Sequence, residues 1–232
     1  MATYALIPAA GSGTRFPGEK PKQYLPLAGR PMLWHAVKSL CAAPVENVFV
    51  VLAPGDAEFS RIDWSGLAGR VEPLYCGGET RRDSVYNGMV AAMAAVDADD
   101  WVLVHDAARP CLPRRDLDDL VRATQHDRIG GILALPVAET VKRAAKDEAG
   151  EQRIAASEDR SQLWLAQTPQ MFRCGILMEA LRNAKGTVTD EASAVEQMGL
   201  RPRLVAGSRE NIKVTFPEDL AIAEAILEMR CE

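Results

Sequence analysis

Tyr4-Ala5-Leu6-Ile7-Pro8 runs straight into Ala9-Ala10-Gly11-Ser12-Gly13-Thr14-Arg15, and Pro21-Lys22-Gln23 follows. An apolar strand that empties into a glycine-containing loop ending in a cation is a place to hold phosphates. Gly11 and Gly13 let the backbone approach an anion closely and turn its N–H groups toward it. Arg15 and Lys22 add full positive charge to the same loop. The glycines alone would also suit an ordinary turn after a strand, so the weight rests on the two cations and on what lies downstream.

Outward from this loop, Val48-Phe49-Val50-Val51-Leu52, Val71-Glu72-Pro73-Leu74, Trp101-Val102-Leu103-Val104-His105 and the run from Ile129 to Leu135 read as further strands. Segments with helical spacing lie between them, at 31–42, 84–95 and 113–124. Strands and helices therefore alternate, which predicts an α/β fold with a mainly parallel twisted sheet and helices on both faces. The nearly continuous hydrophobicity of 48–52 and 101–105 fits strands buried on both faces. In such sheets ligands collect beyond the carboxyl ends of the strands, so the loops after 4–8, 71–74 and 101–105 are the places to look for chemistry.

The stretch from Pro136 to Gln162 breaks the rhythm. It is polar, with Val137-Ala-Glu-Thr-Val-Lys-Arg143, a charged turn around Asp147, Glu148 and Gly150, and then Arg153-Ile154-Ala155. We read an exposed hairpin arm at about 137–160. An isolated hairpin is marginal in water, so it is expected to pack on something, and a symmetric partner subunit is the natural candidate. A mobile surface loop is the plainer alternative. Further on, Thr187-Val-Thr-Asp-Glu191 predicts a helix with acids in its first turn and a stop at Gly199. Thr215-Phe-Pro-Glu218 has capping-box spacing and predicts the start of a last helix with Leu220, Ala223, Ile226 and Leu227 on one face.

With 232 residues, 47% of them hydrophobic, the chain can bury a substantial core and is most simply one domain over 1–232. A formal net charge of -5 argues against a duplex nucleic-acid binder, so the cations that matter should be local. No basic segment precedes the first apolar run, and Pro8 and Gly11 interrupt it, so it resembles neither a signal peptide nor a membrane span. The five cysteines form no C-x-x-C pair and suit a reducing compartment. We therefore expect a soluble, cytoplasmic protein. The three histidines lie too far apart for a recognisable zinc motif, and no zinc site is assigned.

Three further clusters carry potential chemistry. His105-Asp106-Ala107-Ala108-Arg109-Pro110 follows the best strand and puts Asp106 and Arg109 at its carboxyl end. An acid there can take a ribose hydroxyl or stand near a magnesium ion; its plainer roles are an N-cap or an ion pair with Arg109. Cys76-Gly77-Gly78-Glu79-Thr80-Arg81-Arg82-Asp83-Ser84 is a second glycine turn opening a helix, where backbone groups can read the edge of a base. Asn211-Ile212-Lys213-Val214-Thr215 reads as a short β-like stretch in which Ile212 and Val214 point one way and Lys213 the other; by default that is a surface lysine.

Taken together, Pro8-Ala-Ala-Gly-Ser-Gly-Thr-Arg15, Pro21-Lys-Gln23, Gly77-Gly78, Val104-His-Asp-Ala-Ala-Arg-Pro110, Thr168-Pro-Gln170, Thr189-Asp-Glu-Ala-Ser193 and Asn211-Ile-Lys-Val-Thr215 resemble the 2-C-methyl-D-erythritol 4-phosphate cytidylyltransferases of the non-mevalonate isoprenoid pathway. The ordered series spans nearly the whole chain. The resemblance implies a Rossmann-like nucleotidyltransferase fold, a homodimer gripping through its arms, and a magnesium-dependent reaction with CTP in which an oxygen of methylerythritol phosphate attacks the α-phosphorus in line. It implies that Arg15 and Lys22 stabilise the transition state. It also implies that Asp106 lies near the metal and the incoming substrate, and that Arg160 and Lys213 hold the acceptor phosphate. Ala9, Ala10, Gly11, Gly78, Glu79, Ser84 and Ala107 would line the CTP site, with cytosine read by main-chain groups. Arg109, Thr140, Thr168 and Thr189 would serve the acceptor, Thr140 and Arg160 reaching into the partner's site. Glu79 departs from the aspartate usual in the family, which weakens a side-chain contact there.

Two rival readings share parts of this evidence. A ribitol 5-phosphate cytidylyltransferase would keep the CTP half and change the acceptor contacts. A dinucleotide-binding oxidoreductase is opposed by Phe16 at the last glycine position of G-x-G-x-x-G and by the lack of an acid ending the 48–52 strand.

Overall fold

A computed structural model of the chain describes residues 1–11, 20–41, 44–67 and 69–230. Gly13 and Arg15, both singled out above, lie outside the described residues. In chain order the strands are β1 (Thr3–Pro8), β2 (Pro26–Leu27), β3 (Arg30–Pro31), β4 (Val45–Val51), β5 (Val71–Leu74), β6 (Trp101–Val104), β7 (Gly130–Pro136), β8 (Lys142–Lys146), β9 (Gln152–Ser157), β10 (Trp164–Arg173) and β11 (Arg203–Ala206). The helices are α1 (Met32–Leu40), α2 (Arg81–Ala92), α3 (Arg114–Thr124), α4 (Cys174–Asn183), α5 (Glu191–Glu196) and α6 (Glu218–Glu228).

Seven strands form one sheet in the order β11-β7-β10-β6-β1-β4-β5. The pairs β11/β7, β6/β1, β1/β4 and β4/β5 are parallel, and only β10 runs against its neighbours. This is the mainly parallel sheet that the alternation of strands and helices predicts. Alternate residues of each central strand feed two separate cores. Ala5, Ile7, Leu103 and Leu133 pack with α1 and α3 on one face. Leu6, Val102, Val104 and Ile132 pack with α2, α4 and α5 on the other. Burial on both faces is the reason the strands read as continuous apolar runs rather than as an alternation. β5 is an edge strand, where Pro73 removes no needed donor from the ladder.

Helix ends follow local chemistry. The expected 84–95 helix begins earlier, at Arg81, because Thr80 and Asp83 form a reciprocal capping box. Asp190 and Ser193 do the same for α5, and Gly199 lies beyond its end at φ 76°. The capping box expected at Thr215 and Glu218 does not form. Instead Asp219 reaches back, its carboxylate accepting the N–H groups of Thr215 at 2.7 Å and Phe216 at 2.9 Å. Nor is 211–215 a strand. The expected alternation survives: Val214 is buried and Ile212 partly buried in a third small core with Leu27, Met32, Cys111 and Ala223, while Lys213 is exposed.

The arm is a hairpin, as expected. β8 and β9 pair only with each other among the described residues, and every residue in both strands is exposed. Its base is tied by Val137 N–H donating to the Leu163 carbonyl at 3.0 Å and Glu158 N–H to the Val141 carbonyl at 2.9 Å.

Candidate active site

The strand order reverses at β1, with β4 on one side and β6 on the other, which opens a crevice beyond the carboxyl ends of β1 and β6. A cleft of about 490 Å³ occupies that position. Ala9, Ala10, Gly11, Lys22, Gly78, Glu79, Ser84, Asp106, Ala107 and Lys213 line it, together with Gln23, Thr80 and Arg81. The three loops that the sequence points to thus converge.

Each wall is fastened by side chains. The Gln23 amide donates to the Ala9 carbonyl at 2.7 Å and so locks the 3₁₀ turn Lys22–Tyr24 against the end of β1. Lys22 Nζ donates to the Val214 carbonyl at 2.6 Å, beside Lys213. On the opposite wall the Ser84 hydroxyl accepts from Gly78 N–H at 3.1 Å and donates to the Thr80 carbonyl at 3.0 Å. Ser84 therefore shapes the glycine turn. At Gly77 a side chain would meet Ala10 Cβ at 2.2 Å and the Leu52 carbonyl oxygen at 2.8 Å, so the two loops touch through bare backbone.

The electrostatic centre is Asp106. Its Oδ1 lies 3.0 Å from an Arg81 guanidinium nitrogen, and its Oδ2 is 2.8 Å from Lys213 Nζ. Burial alone would raise the carboxyl pKa, but Arg81 and Lys213 hold it well below the usual carboxylate range. Arg81 also pairs with the buried Glu191, at 2.5 Å through one nitrogen and 3.1 Å through the other. The ion pair of Asp106 with Arg109, the plainer reading of the sequence, is not the arrangement found. Arg109 is buried and donates to the Asn211 carbonyl at 2.6 Å.

Behind Asp106 a buried relay fixes its loop. The Thr168 hydroxyl accepts from Asp106 N–H at 3.0 Å and lies 3.0 Å from His105 Nδ1, while His105 Nε2 lies 3.0 Å from the Arg109 carbonyl. These contacts select the tautomer with Nε2 protonated: Thr168 donates to Nδ1, and Nε2 donates to the carbonyl. Burial lowers the His105 pKa to about 4, so the ring is neutral at pH 7. Thr168 is available here because 167–169 drop out of the β10 ladder between Ala166 and Gln170. From the same strand Gln170 donates to Asp190 at 2.8 Å and accepts from Ala192 N–H at 2.8 Å, docking α5 and its Glu191.

A second pocket, of about 250 Å³, adjoins the first. Arg109, Thr168 and Thr189 line it, with Gln167, Gln170 and Asp190; Arg81, Asp106 and Lys213 belong to both pockets. Thr140 and Arg160 are not brought to this junction. Both are exposed at the arm, outside the lining of either pocket. Arg81, Glu191 and Gln170 are among the site residues whose role the sequence does not reveal. The charge pattern in Thr80–Asp83 and Asp190–Glu191 was a signal, but Arg81 and Glu191 are 110 residues apart and nothing local pairs them.

A model of the family described as "IspD: 2-C-methyl-D-erythritol 4-phosphate cytidylyltransferase" matches residues 3–229. A relative of that name from Dechloromonas aromatica (strain RCB) is 56% identical over 98% of each chain. One from Azoarcus sp. (strain BH72) is 54% identical over 98% of this chain and 94% of its own. Among solved structures, a 4-diphosphocytidyl-2C-methyl-D-erythritol synthase superposes with a TM-score of 0.84 at 38% identity, covering 97% of this chain and 98% of the other. The 2-C-methyl-D-erythritol 4-phosphate cytidylyltransferase of Francisella tularensis does so with a TM-score of 0.78 at 36% identity, covering 97% and 100%. The expected fold class holds, and the chain belongs to the 2-C-methyl-D-erythritol 4-phosphate cytidylyltransferase family.

Proposed function

We propose that the protein transfers CMP from CTP to 2-C-methyl-D-erythritol 4-phosphate, giving 4-diphosphocytidyl-2-C-methyl-D-erythritol and pyrophosphate in isoprenoid precursor biosynthesis. Family membership supports the reaction. The single structural observation that supports it best is the meeting of two pockets at a shared wall of Arg81, Asp106 and Lys213. A transfer between two anionic substrates needs adjoining sites with fixed charge at the junction.

In this reading CTP occupies the larger cleft, its base against the main chain of Ala9–Gly11 and Gly78–Glu79. A pyrimidine-sized slot rejects purines by shape, and a paired amino and carbonyl edge penalises uracil through unmatched hydrogen bonds. Methylerythritol phosphate occupies the smaller pocket beside Arg109 and Thr189, with its phosphate toward Lys213. A phosphate oxygen attacks the α-phosphorus in line, and pyrophosphate leaves with no covalent enzyme intermediate. Lys22, and Arg15 seven residues before it in the sequence, stabilise charge building on the non-bridging and leaving oxygens. A magnesium ion would be held chiefly by the nucleotide's own phosphates, whose hard oxygens it prefers, beside the Asp106 carboxylate in the cleft wall. Asp106 is the side chain that would join it, and when bound the ion neutralises phosphate charge.

The chain works in this reading as one domain over 1–232 that dimerises through the arm at about 137–160, with Thr140 and Arg160 completing the partner's acceptor site. The exposed apolar side chains of Ile154, Leu163, Trp164 and Leu165 on and beside that arm support a packed partner. No helix of the described residues is long and apolar enough to cross a membrane, and a cytoplasmic enzyme is the reading that agrees with scattered thiols.

The test is pyrophosphate release from CTP and Mg²⁺ with methylerythritol 4-phosphate or ribitol 5-phosphate as acceptor. Release with the first alone supports the assignment. Preference for ribitol phosphate overturns the acceptor, and silence with both overturns the activity.

A further inference from the structure

We propose that Arg81, clamped by Glu191, is a positioning residue for the transfer: it fixes the Asp106 carboxylate at the junction of the two pockets so that the other carboxylate oxygen faces Lys213. The inference rests on the function proposed above, and it concerns two residues that the sequence reading left without a role. Arg81 lies at the start of α2 and Glu191 at the start of α5, and the loop after β6 carries Asp106. The guanidinium joins all three elements. Two of its nitrogens take the two Glu191 oxygens, while Nε donates to Asp106 Oδ1 at 3.1 Å.

The geometry makes this more than an ion pair. The Glu191 side chain is 1% exposed and that of Asp106 10%, so each carboxylate depends on its partner for compensation. A planar fork spans two carboxylates at fixed angle, which an ammonium cannot do. With Oδ1 tied to Arg81, Asp106 has one direction left for Oδ2, and that direction is Lys213 at 2.8 Å. Glu191 is itself held, since Gln170 grips both Asp190 and Ala192 on either side of it. The order Glu191, Arg81, Asp106, Lys213 is thus a line of alternating charges that runs from the buried end of α5 to the wall shared by both pockets.

The test is steady-state kinetics with CTP and methylerythritol 4-phosphate on Arg81→Lys, Glu191→Gln, Asp106→Asn and the double variant Arg81→Lys/Asp106→Asn, each with its thermal unfolding curve. Arg81→Lys keeps the charge and loses the fork. It is expected to fold and to lose kcat on the order of 100-fold, the penalty of misplacing a reacting group by about 1 Å, with much smaller changes in both KM values. Because Arg81 acts through Asp106, the same substitution is expected to change kcat little in the Asp106→Asn background. A merely structural role would give equal losses in both backgrounds, and that result, or a wild-type kcat in Arg81→Lys, overturns the proposal. Should Arg81→Lys not fold, the isosteric Glu191→Gln, alone and combined with Asp106→Asn, carries the same comparison. Silence of the wild-type enzyme overturns the functional reading and this role with it, whereas an active wild type with additive variants overturns this role alone.

Discussion

Replacing Gly77 by alanine puts one methyl group where two loops of the cleft wall touch. The new Cβ would lie 2.2 Å from Ala10 Cβ and 2.8 Å from the Leu52 carbonyl oxygen. Carbon atoms prefer about 3.5–4.0 Å, so the first contact is short by about 1.3 Å or more. Leu52 cannot give way easily: it is fully buried, its N–H donates to the Leu74 carbonyl at 2.8 Å, and its own carbonyl accepts from Gly77 at 2.8 Å. The strain therefore passes to Ala10, whose neighbour Ala9 is held, among the described residues, by Val51 and Gln23. A shift of about 1 Å there moves the cleft wall itself. The expected cost in stability is about 1–3 kcal/mol, the range for overpacked cores. Activity is expected to fall on the order of 100-fold, since displacements of this size degrade positioning by that much. Calorimetric titration with CTP, with turnover and thermal unfolding on the same preparation, measures all three. Gly175→Ala is the control, because its nearest contacts, at 3.3 Å, belong to Ala98 alone. If Gly77→Ala binds CTP and turns over like wild type, the close approach of the loops does not build the site and the reasoning fails.

Lys22→Ala should cut turnover by orders of magnitude and leave the fold intact, since in the proposed mechanism it removes a cation that stabilises developing charge; full activity with unchanged metal dependence would remove that mechanism. Lys213→Ala should raise the KM for the acceptor more than that for CTP, and equal effects on both would contradict its proposed place beside the acceptor phosphate. His105 is expected to make stability depend on pH between about 6.5 and about 4. The unfolded chain takes up a proton that the buried ring refuses, so this contribution is whole above pH 6.5, is lost as the pH falls toward about 4, and amounts to about 3 kcal/mol. Urea unfolding at stepped pH should show a shallower dependence for His105→Gln than for wild type, and equal slopes would refute it. Burial pushes the Cys111 thiol up to about 11 and that of Cys174 up to about 12. Peptide-resolved alkylation of the native protein should therefore leave both intact while half-buried Cys76 reacts; equally fast modification of Cys174 would contradict the packing.

The central sheet was legible because strands buried on two faces leave an unmistakable trace, as at Val48–Leu52 and Trp101–His105. So were the loops of the site, since the rule that ligands gather beyond strand carboxyl ends needs only the strand positions. What failed was set by contacts that have no local signature. Thr215 and Glu218 have the spacing of a capping box, yet Asp219 outcompetes them by reaching two N–H groups at once. The 211–215 stretch alternates like a strand because Val214 and Lys213 face opposite ways, but among the described residues no strand offers it a ladder. Arg81 and Glu191 illustrate the limit most clearly. Each sits in a stretch whose charges look like helix-start chemistry, and only the folded chain shows that they meet.

The site also explains how a chain of net charge -5 can gather two phosphate-bearing substrates. Its cations are not left to repel one another. Lys213 rests on Asp106 and Lys22 on the Val214 carbonyl, so both ammonium groups are docked on oxygen atoms within one small region. The Lys213 side chain is about half exposed, so a phosphate carrying full negative charge can compete for its ammonium from the open side of the cleft. Asp106 does not become an unpaired buried charge when Lys213 turns to the substrate, because Arg81 remains on its other oxygen. In the proposed mechanism that arrangement separates two duties that one cation could not perform together: Arg81 keeps the carboxylate compensated and in place, and Lys213 is left to follow the phosphate.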